Sequence, residues 1–147
     1  MIKLQTESLT FFSPEDSQDS LGALYFDTGI SAGFPSPKED IQEQRLSLDN
    51  ELIKNKEATF FARVSGQSMI GAGLDDNDLL VIDRSLEPEN NKIAVCFLDG
   101  EFTVKRLRVD QDEIWLQPEN PNYPIIKVTP DNEFIIWGIV TNVIKKV

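Results

Sequence analysis

This chain of 147 residues has no histidine, a single cysteine and no long apolar run, and each lack removes a class of chemistry. Without histidine it loses the commonest metal ligand and the commonest general base together. With Cys96 alone there is neither a disulfide framework nor a thiolate zinc site. Its place inside the apolar stretch from Ile93 to Leu98 marks it for packing. The longest apolar run, Phe134 to Val140, is far short of a membrane span, and the opening MIKLQTESLT lacks the apolar centre of a signal peptide. A cytoplasmic chain with no membrane partner is expected. Basic residues are scarce, 14 against 25 acidic ones, for a net charge of −11. Phosphate contact needs Lys and Arg in excess, so no direct DNA binding is expected. Asp75, Asp76, Asp78 and Asp83 lack the spacing of a calcium loop and read as a solvated acidic loop. No metal and no cofactor is expected.

What is present suits one β-rich domain. Apolar residues make up 40 % of the chain, enough at this length for a core. From Phe60 onward short apolar and β-branched runs alternate with turns: Phe60 to Val64, Leu79 to Ile82, Lys92 to Leu98, Glu101 to Val109, Glu113 to Gln117, Ile125 to Val128 and Phe134 to Ile144. Asp99-Gly100 between two of them is a strong two-residue hairpin signal. The expected fold is mainly β, a coiled antiparallel, barrel-like domain.

The first 30 residues differ. They carry one basic residue, Lys3, and their apolar residues come in scraps around SPEDSQDS, which reads as a loosely attached arm. Ser31 to Pro37 follows, SAGFPSP, where two prolines favour extended backbone and Ala32-Gly33 leaves it sterically bare. A protease cleft can bind such a segment as an added strand, although a plain linker has the same composition. Lys38 to Leu48 is expected to be a short helix, with Ile41, Gln44 or Arg45, and Leu48 at helical spacing. Asp49 to Lys56 reads as a polar connector.

Two residues stand out chemically. Ser68 follows a strand and Gly66, a setting that exposes a hydroxyl beside backbone N–H groups, though serine beside glycine is also ordinary turn chemistry. Lys105 lies on the returning arm of the hairpin, where alternation puts Thr103, Lys105, Leu107 and Val109 on one face. Arg106 and Arg108 take the other. A lysine snorkelling at the edge of a core is the common alternative. In a chain without histidine, however, a serine nucleophile needs a base such as a desolvated lysine, and Ser-Lys dyads are a variant of the triad logic.

Ser65-Gly66-Gln67-Ser68-Met69, followed by Gly100-Glu101-Phe102-Thr103-Val104-Lys105-Arg106-Leu107, closely resembles the self-cleaving LexA/UmuD-like serine peptidases. Gly33-Phe34-Pro35-Ser36-Pro37 and the pair Gln44-Arg45 agree in order and spacing, so the likeness runs from about Ser31 to Val147. It is greatest to the UmuD-type members, accessory proteins of error-prone translesion DNA polymerases. The resemblance implies Ser68 as nucleophile, Lys105 as general base, and backbone N–H groups of Gln67 and Ser68 as the oxyanion site. It places the cleaved bond between Ala32 and Gly33. Ala32 stands where UmuD-type proteins carry cysteine and LexA-type repressors alanine, and both are small. The implied organisation is an arm at 1–32 removed by self-cleavage, an extended segment and connector at 33–57, and the peptidase domain at 58–147. The implied partners are a RecA filament on single-stranded DNA, which promotes the cut, a second copy in a homodimer, and a UmuC-type polymerase. The homodimer is expected to use the C-terminal strand, with Phe134, Ile136 and Val140 on one face and Ile135, Trp137 and Ile139 on the other. Three other readings make different demands of the chain. A LexA-like repressor needs three helices and a basic face, which 32 mostly acidic residues do not hold. A signal-peptidase type needs an anchor. A non-enzymatic acidic docking subunit would be indifferent to loss of Ser68.

Overall fold

The computed structural model describes residues 8–14, 23–26 and 43–147. The strands are β1 (Ser8–Phe12), β2 (Ala23–Phe26), β3 (Glu43–Leu46), β4 (Thr59–Ser65), β5 (Leu79–Asp83), β6 (Ile93–Leu98), β7 (Glu101–Asp110), β8 (Glu113–Gln117), β9 (Ile126–Val128) and β10 (Phe134–Ile144). One short helix, α1, spans Leu48–Leu52. These residues fall into two compact units, one holding β1 with everything from Asn55 on, the other holding β2, β3 and α1.

The larger unit is an eight-stranded antiparallel sheet in the order β1-β4-β5-β10-β6-β7-β8-β9. The mainly β, coiled fold expected from the sequence is the fold observed. Asp99 and Gly100 both take positive φ in the two-residue turn between β6 and β7, as the hairpin signal requires. The sheet curls until β1, at one edge, meets β7: the rings of Phe11 and Phe102 lie 5.0 Å apart, edge to face. Inside the curl Ala62, Val64, Leu80, Ile82, Val95 and Val104 form one core cluster. On the opposite face Ala94, Cys96, Leu107, Leu116 and Ile139 form a second. Burial at about 25 cal/mol per Å² of apolar surface holds both faces.

Three expectations change. Within the arm, Ser8–Phe12 is a strand of the sheet, in five-residue register with Phe61–Ser65 of β4. The edge of β4 supplies hydrogen-bond partners that a scrap of apolar residues lacks on its own. Glu43–Leu46, within the span Lys38–Leu48 whose spacing predicts a helix, is a strand paired with Ala23–Phe26; residues 38–42 of that span lie outside the described residues. The helix starts only at Leu48, where the Ser47 hydroxyl accepts from the Asn50 N–H. Finally, β10 carries irregularities between Ile136 and Gly138 and between Val140 and Asn142. Each bulge resets the alternation, so Phe134, Ile136 and Ile139 pack on one face while Trp137, Val140 and Val143 pack on the other. Strict alternation separates Ile139 from Ile136 and Trp137 from Val140, which the bulges bring onto shared faces.

Candidate active site

Strand β4 ends at Ser65, and Gly66, at φ 123°, turns the chain through a left-handed conformation that side chains disfavour. The Gly66 N–H donates to the Asp76 carboxylate at 3.0 Å. Ser68 and Met69 then point inward, 1 % and 3 % exposed. A 3-10 turn, Ile70–Ala72, carries the chain away.

Lys105 comes from β7, which is not a sheet neighbour of β4. The curl brings the two together. Thr103 stands opposite Cys96 and Lys105 opposite Ala94, on the face that also buries Leu107, as the hairpin alternation predicts. The β7–β8 pairing stops at Arg106 opposite Gln117, so β7 before Arg106 has no β8 partner. The Ser68 turn lies beside that stretch. There the Lys105 ammonium contacts the Ser68 Oγ at 3.0 Å, the Thr103 Oγ1 at 2.6 Å and the Val104 carbonyl oxygen at 3.1 Å. Lys105 is 5 % exposed. In the neutral amine the Thr103 hydroxyl and Val104 carbonyl can accept its two N–H protons, leaving the lone pair for the Ser68 O–H.

The sequence alternation puts Thr103 on the face of Lys105, and its position two residues before Lys105 on one strand is the signal for the contact between them. Leu9 of β1, with Val64, Ser65, Met69, Leu74 and Val104, closes a pocket of about 10 Å³ beside Ser68. That is room for one water-sized group. Gln67 adjoins Ser68 and is exposed, its carbonyl held by Asn120. Ala32 and Gly33 lie outside the described residues.

Other ionisable groups sort themselves by contact. Burial pushes the Cys96 thiol up to about 12 against the opposing charge of Lys105, which fits a packing role. The acidic loop is only half solvated: Asp75 and Asp76 are exposed, but Asp78 and Asp83 are buried. Asp78 accepts from the Asp75 N–H and from Lys145. Asp83 accepts from Asn55 and from the backbone and hydroxyl of Ser85. Local donors explain why those two carboxylates leave solvent, a feature that spacing alone does not encode. Among the described residues no acidic, histidine or cysteine group could hold a metal, and no helix is long and apolar enough to cross a membrane.

Comparison with known proteins matches residues 24–141 to the family described as Peptidase S24-like. The chain is 44 % identical over 114 residues to Protein MucA of Salmonella typhimurium, covering 77 % of each. It is 40 % identical over 141 residues to Protein ImpA of Shigella flexneri, covering 95 % of this chain and 96 % of that one. It is 40 % identical over 116 residues to the LexA repressor of Paracidovorax citrulli, covering 79 % of this chain and 51 % of the repressor. With its curled sheet, its buried serine and lysine, and this extent of likeness, the chain belongs to the S24 family of LexA/UmuD-like serine peptidases, on the UmuD-like side.

Proposed function

We propose that this protein cuts its own chain once, between Ala32 and Gly33, with Ser68 as nucleophile and Lys105 as general base. The observation that carries the proposal is the 3.0 Å contact between two buried side chains that are otherwise far apart in sequence. As the Oγ–C bond forms to the Ala32 carbonyl, the Ser68 hydroxyl proton passes to the Lys105 amine. The oxyanion accepts from backbone N–H groups of Ser68 and Gln67. Collapse breaks the C–N bond, and the Lys105 ammonium returns its proton to the Gly33 amine. Water, deprotonated by the free amine, then hydrolyses the ester. The small pocket beside Ser68 suits a methyl group such as that of Ala32.

The family resemblance supplies the setting. A RecA filament on single-stranded DNA promotes the cut, in the cytoplasm, and residues 33–147 dimerise and join a UmuC-type translesion polymerase. Ile135 and Ile144 of β10, 56 % and 43 % exposed, are apolar residues on the C-terminal strand that such a dimer would cover. Light scattering at micromolar concentration should give twice the chain mass, lowered by Ile135→Glu; a monomer throughout removes the dimer.

Mass spectrometry of the full chain after prolonged incubation, with and without an activated RecA filament, tests the cut. A fragment beginning at Gly33, faster with the filament and lacking in Ser68→Ala, is the expected result. Fragments beginning elsewhere refute the site. A chain that stays whole in both conditions leaves the docking-subunit alternative in its place.

A further inference from the structure

The turn that carries Ser68 is held from outside by the segment that follows β8. The Asn120 side chain is 7 % exposed, and its Nδ2 donates to the Gln67 carbonyl oxygen at 2.9 Å. Its Oδ1 accepts the Asn122 N–H at 3.0 Å, so both ends of the amide are engaged. The adjoining residue reinforces the contact. The Glu119 carbonyl accepts the Gly71 N–H at 2.8 Å, and the Glu119 N–H points at the Met69 sulfur, 3.4 Å away. A Cβ on Gly71 would sit 2.5 Å from the Glu119 carbonyl oxygen, so only glycine permits this approach. The Glu119 carboxylate pairs with Arg106, the residue after Lys105. One short segment therefore grips the serine turn on one side and the lysine strand on the other.

The grip on Gln67 has a directional consequence. The peptide between Gln67 and Ser68 is planar and trans, so its C=O and N–H point in opposite directions. Fixing the Gln67 carbonyl on Asn120 aims the Ser68 N–H away from the 118–122 segment. We infer that Asn120 is a positioning residue for the oxyanion site: by donating to the Gln67 carbonyl it holds the Ser68 N–H in the direction from which it stabilises the tetrahedral intermediate. The inference rests on the self-cleavage proposed above. Asn120 itself touches no reacting atom. The Gln67 carbonyl also accepts the Ile70 N–H, but at 3.4 Å, so without the shorter Asn120 bond this long turn contact alone restrains the Gln67–Ser68 peptide, and a donor aimed in advance becomes one that must reorganise during the reaction.

The test compares the full chain with Asn120→Ala and the isosteric Asn120→Asp, which replaces the donor with an oxygen facing the Gln67 carbonyl. Self-cleavage rates are followed from pH 6 to 10.5, with the thermal unfolding midpoint of each protein. Removal of one oxyanion donor typically costs about 10²–10³-fold in rate, and loss of its aim should cost about 10–100-fold. Both variants should fall by that factor at every pH. A merely structural contact would lower the rate only in step with the thermal midpoint. A wild-type rate in Asn120→Asp overturns the inference, as does a fall in rate matched by a fall in midpoint in both variants. If Asn120→Ala melts well below wild type, Asn120→Asp alone decides on the same two criteria. Absence of cleavage in the wild-type chain overturns the proposed function together with this inference, whereas wild-type cleavage with an unaffected Asn120→Asp overturns the inference alone.

Discussion

Lys105 and Asp83 are equally buried, each 5 % exposed, yet the sheet handles the two ionisable groups in opposite ways. For Asp83, burial pushes the carboxyl pKa up, but hydrogen bonds from the Ser85 hydroxyl, the Asn55 amide and the Ser85 N–H outweigh it, and the net pKa lies below the ordinary 3.8. Three donors aimed at one carboxylate fix its charge. Lys105 instead meets two hydroxyls and a carbonyl in the contacts described above. The Ser68 hydroxyl can give or accept a proton, so this contact is one through which a proton can pass. Burial is common to both sites and says little about function. What separates them is the neighbours: donors that hold a carboxylate at Asp83, and a hydroxyl with a proton to give at Lys105.

The sharpest way to break this comparison is to exchange each group for one that cannot titrate. Lys105→Met should leave the fold standing, because replacing a buried charge with an apolar side chain of similar volume is often neutral or stabilising. Self-cleavage should fall by about 10²–10⁴-fold, the usual worth of a general base. Lys105→Arg should fall as far, since arginine stays protonated. Wild-type cleavage in either variant, measured by mass spectrometry over the same hours, removes Lys105 from the mechanism.

Asp83→Ala should do the reverse. It removes the hydrogen bonds that Asn55 and Ser85, both exposed residues, donate to a buried carboxylate, a loss of about 1–3 kcal/mol of stability, while cleavage continues below the lowered melting temperature. The sign of its pH dependence follows from the depressed pKa. The stabilisation is fully present above the unfolded-state value of 3.8 and is lost as pH falls through the lower folded-state value. Denaturant melts of wild type should therefore weaken more steeply below about pH 4 than those of Asp83→Ala. Parallel acid dependence in the two proteins would mean that Asp83 is not held as a carboxylate.

Much of this was legible in the sequence where the signal is local. The β6–β7 hairpin, β8 and β10 follow from period-two apolar runs and from Asp99-Gly100, and the same alternation puts Thr103, Lys105 and Leu107 on one face. What was not legible depends on partners distant in sequence. Ser8–Phe12 becomes a strand only because β4 offers it an edge, and Glu43–Leu46 exchanges a helical spacing for pairing with Ala23–Phe26. The two bulges in β10 exist only relative to the registers of β5 and β6. At the site, Ser68 and Lys105 stand out by residue type. Asn120 does not, because a loop asparagine between prolines is ordinary until the Gln67 carbonyl is beside it.

The smallest expected effect sharpens the comparison from a second lysine. Lys145, just past β10, sits between the carboxylates of Asp75 and Asp78, and those two hydrogen bonds, Asp75 first, raise its pKa above the ordinary 10.5. It is thus a lysine whose neighbours lock the charged state, as the neighbours of Asp83 lock theirs. A raised folded-state pKa contributes stability that is fully present below 10.5 and lost only as pH rises through the folded value. Lys145 is exposed to solvent, so salt screens the attraction. Lys145→Ala should therefore lower the melting temperature only slightly, and less at high salt than at low. Asp78→Ala should lower it further, because the Asp78 carboxylate is buried and also caps the Asp75 N–H. The loop they steady continues into β5 and meets β4 through Val64 and Asn77, one turn away from Ser68. Even so, cleavage in Lys145→Ala should stay within about twofold of wild type, since an exposed pair of this kind is worth little. A tenfold fall in cleavage with an unchanged melting temperature would show that the acidic loop, and not only the Lys105 neighbourhood, governs the reactivity of Ser68.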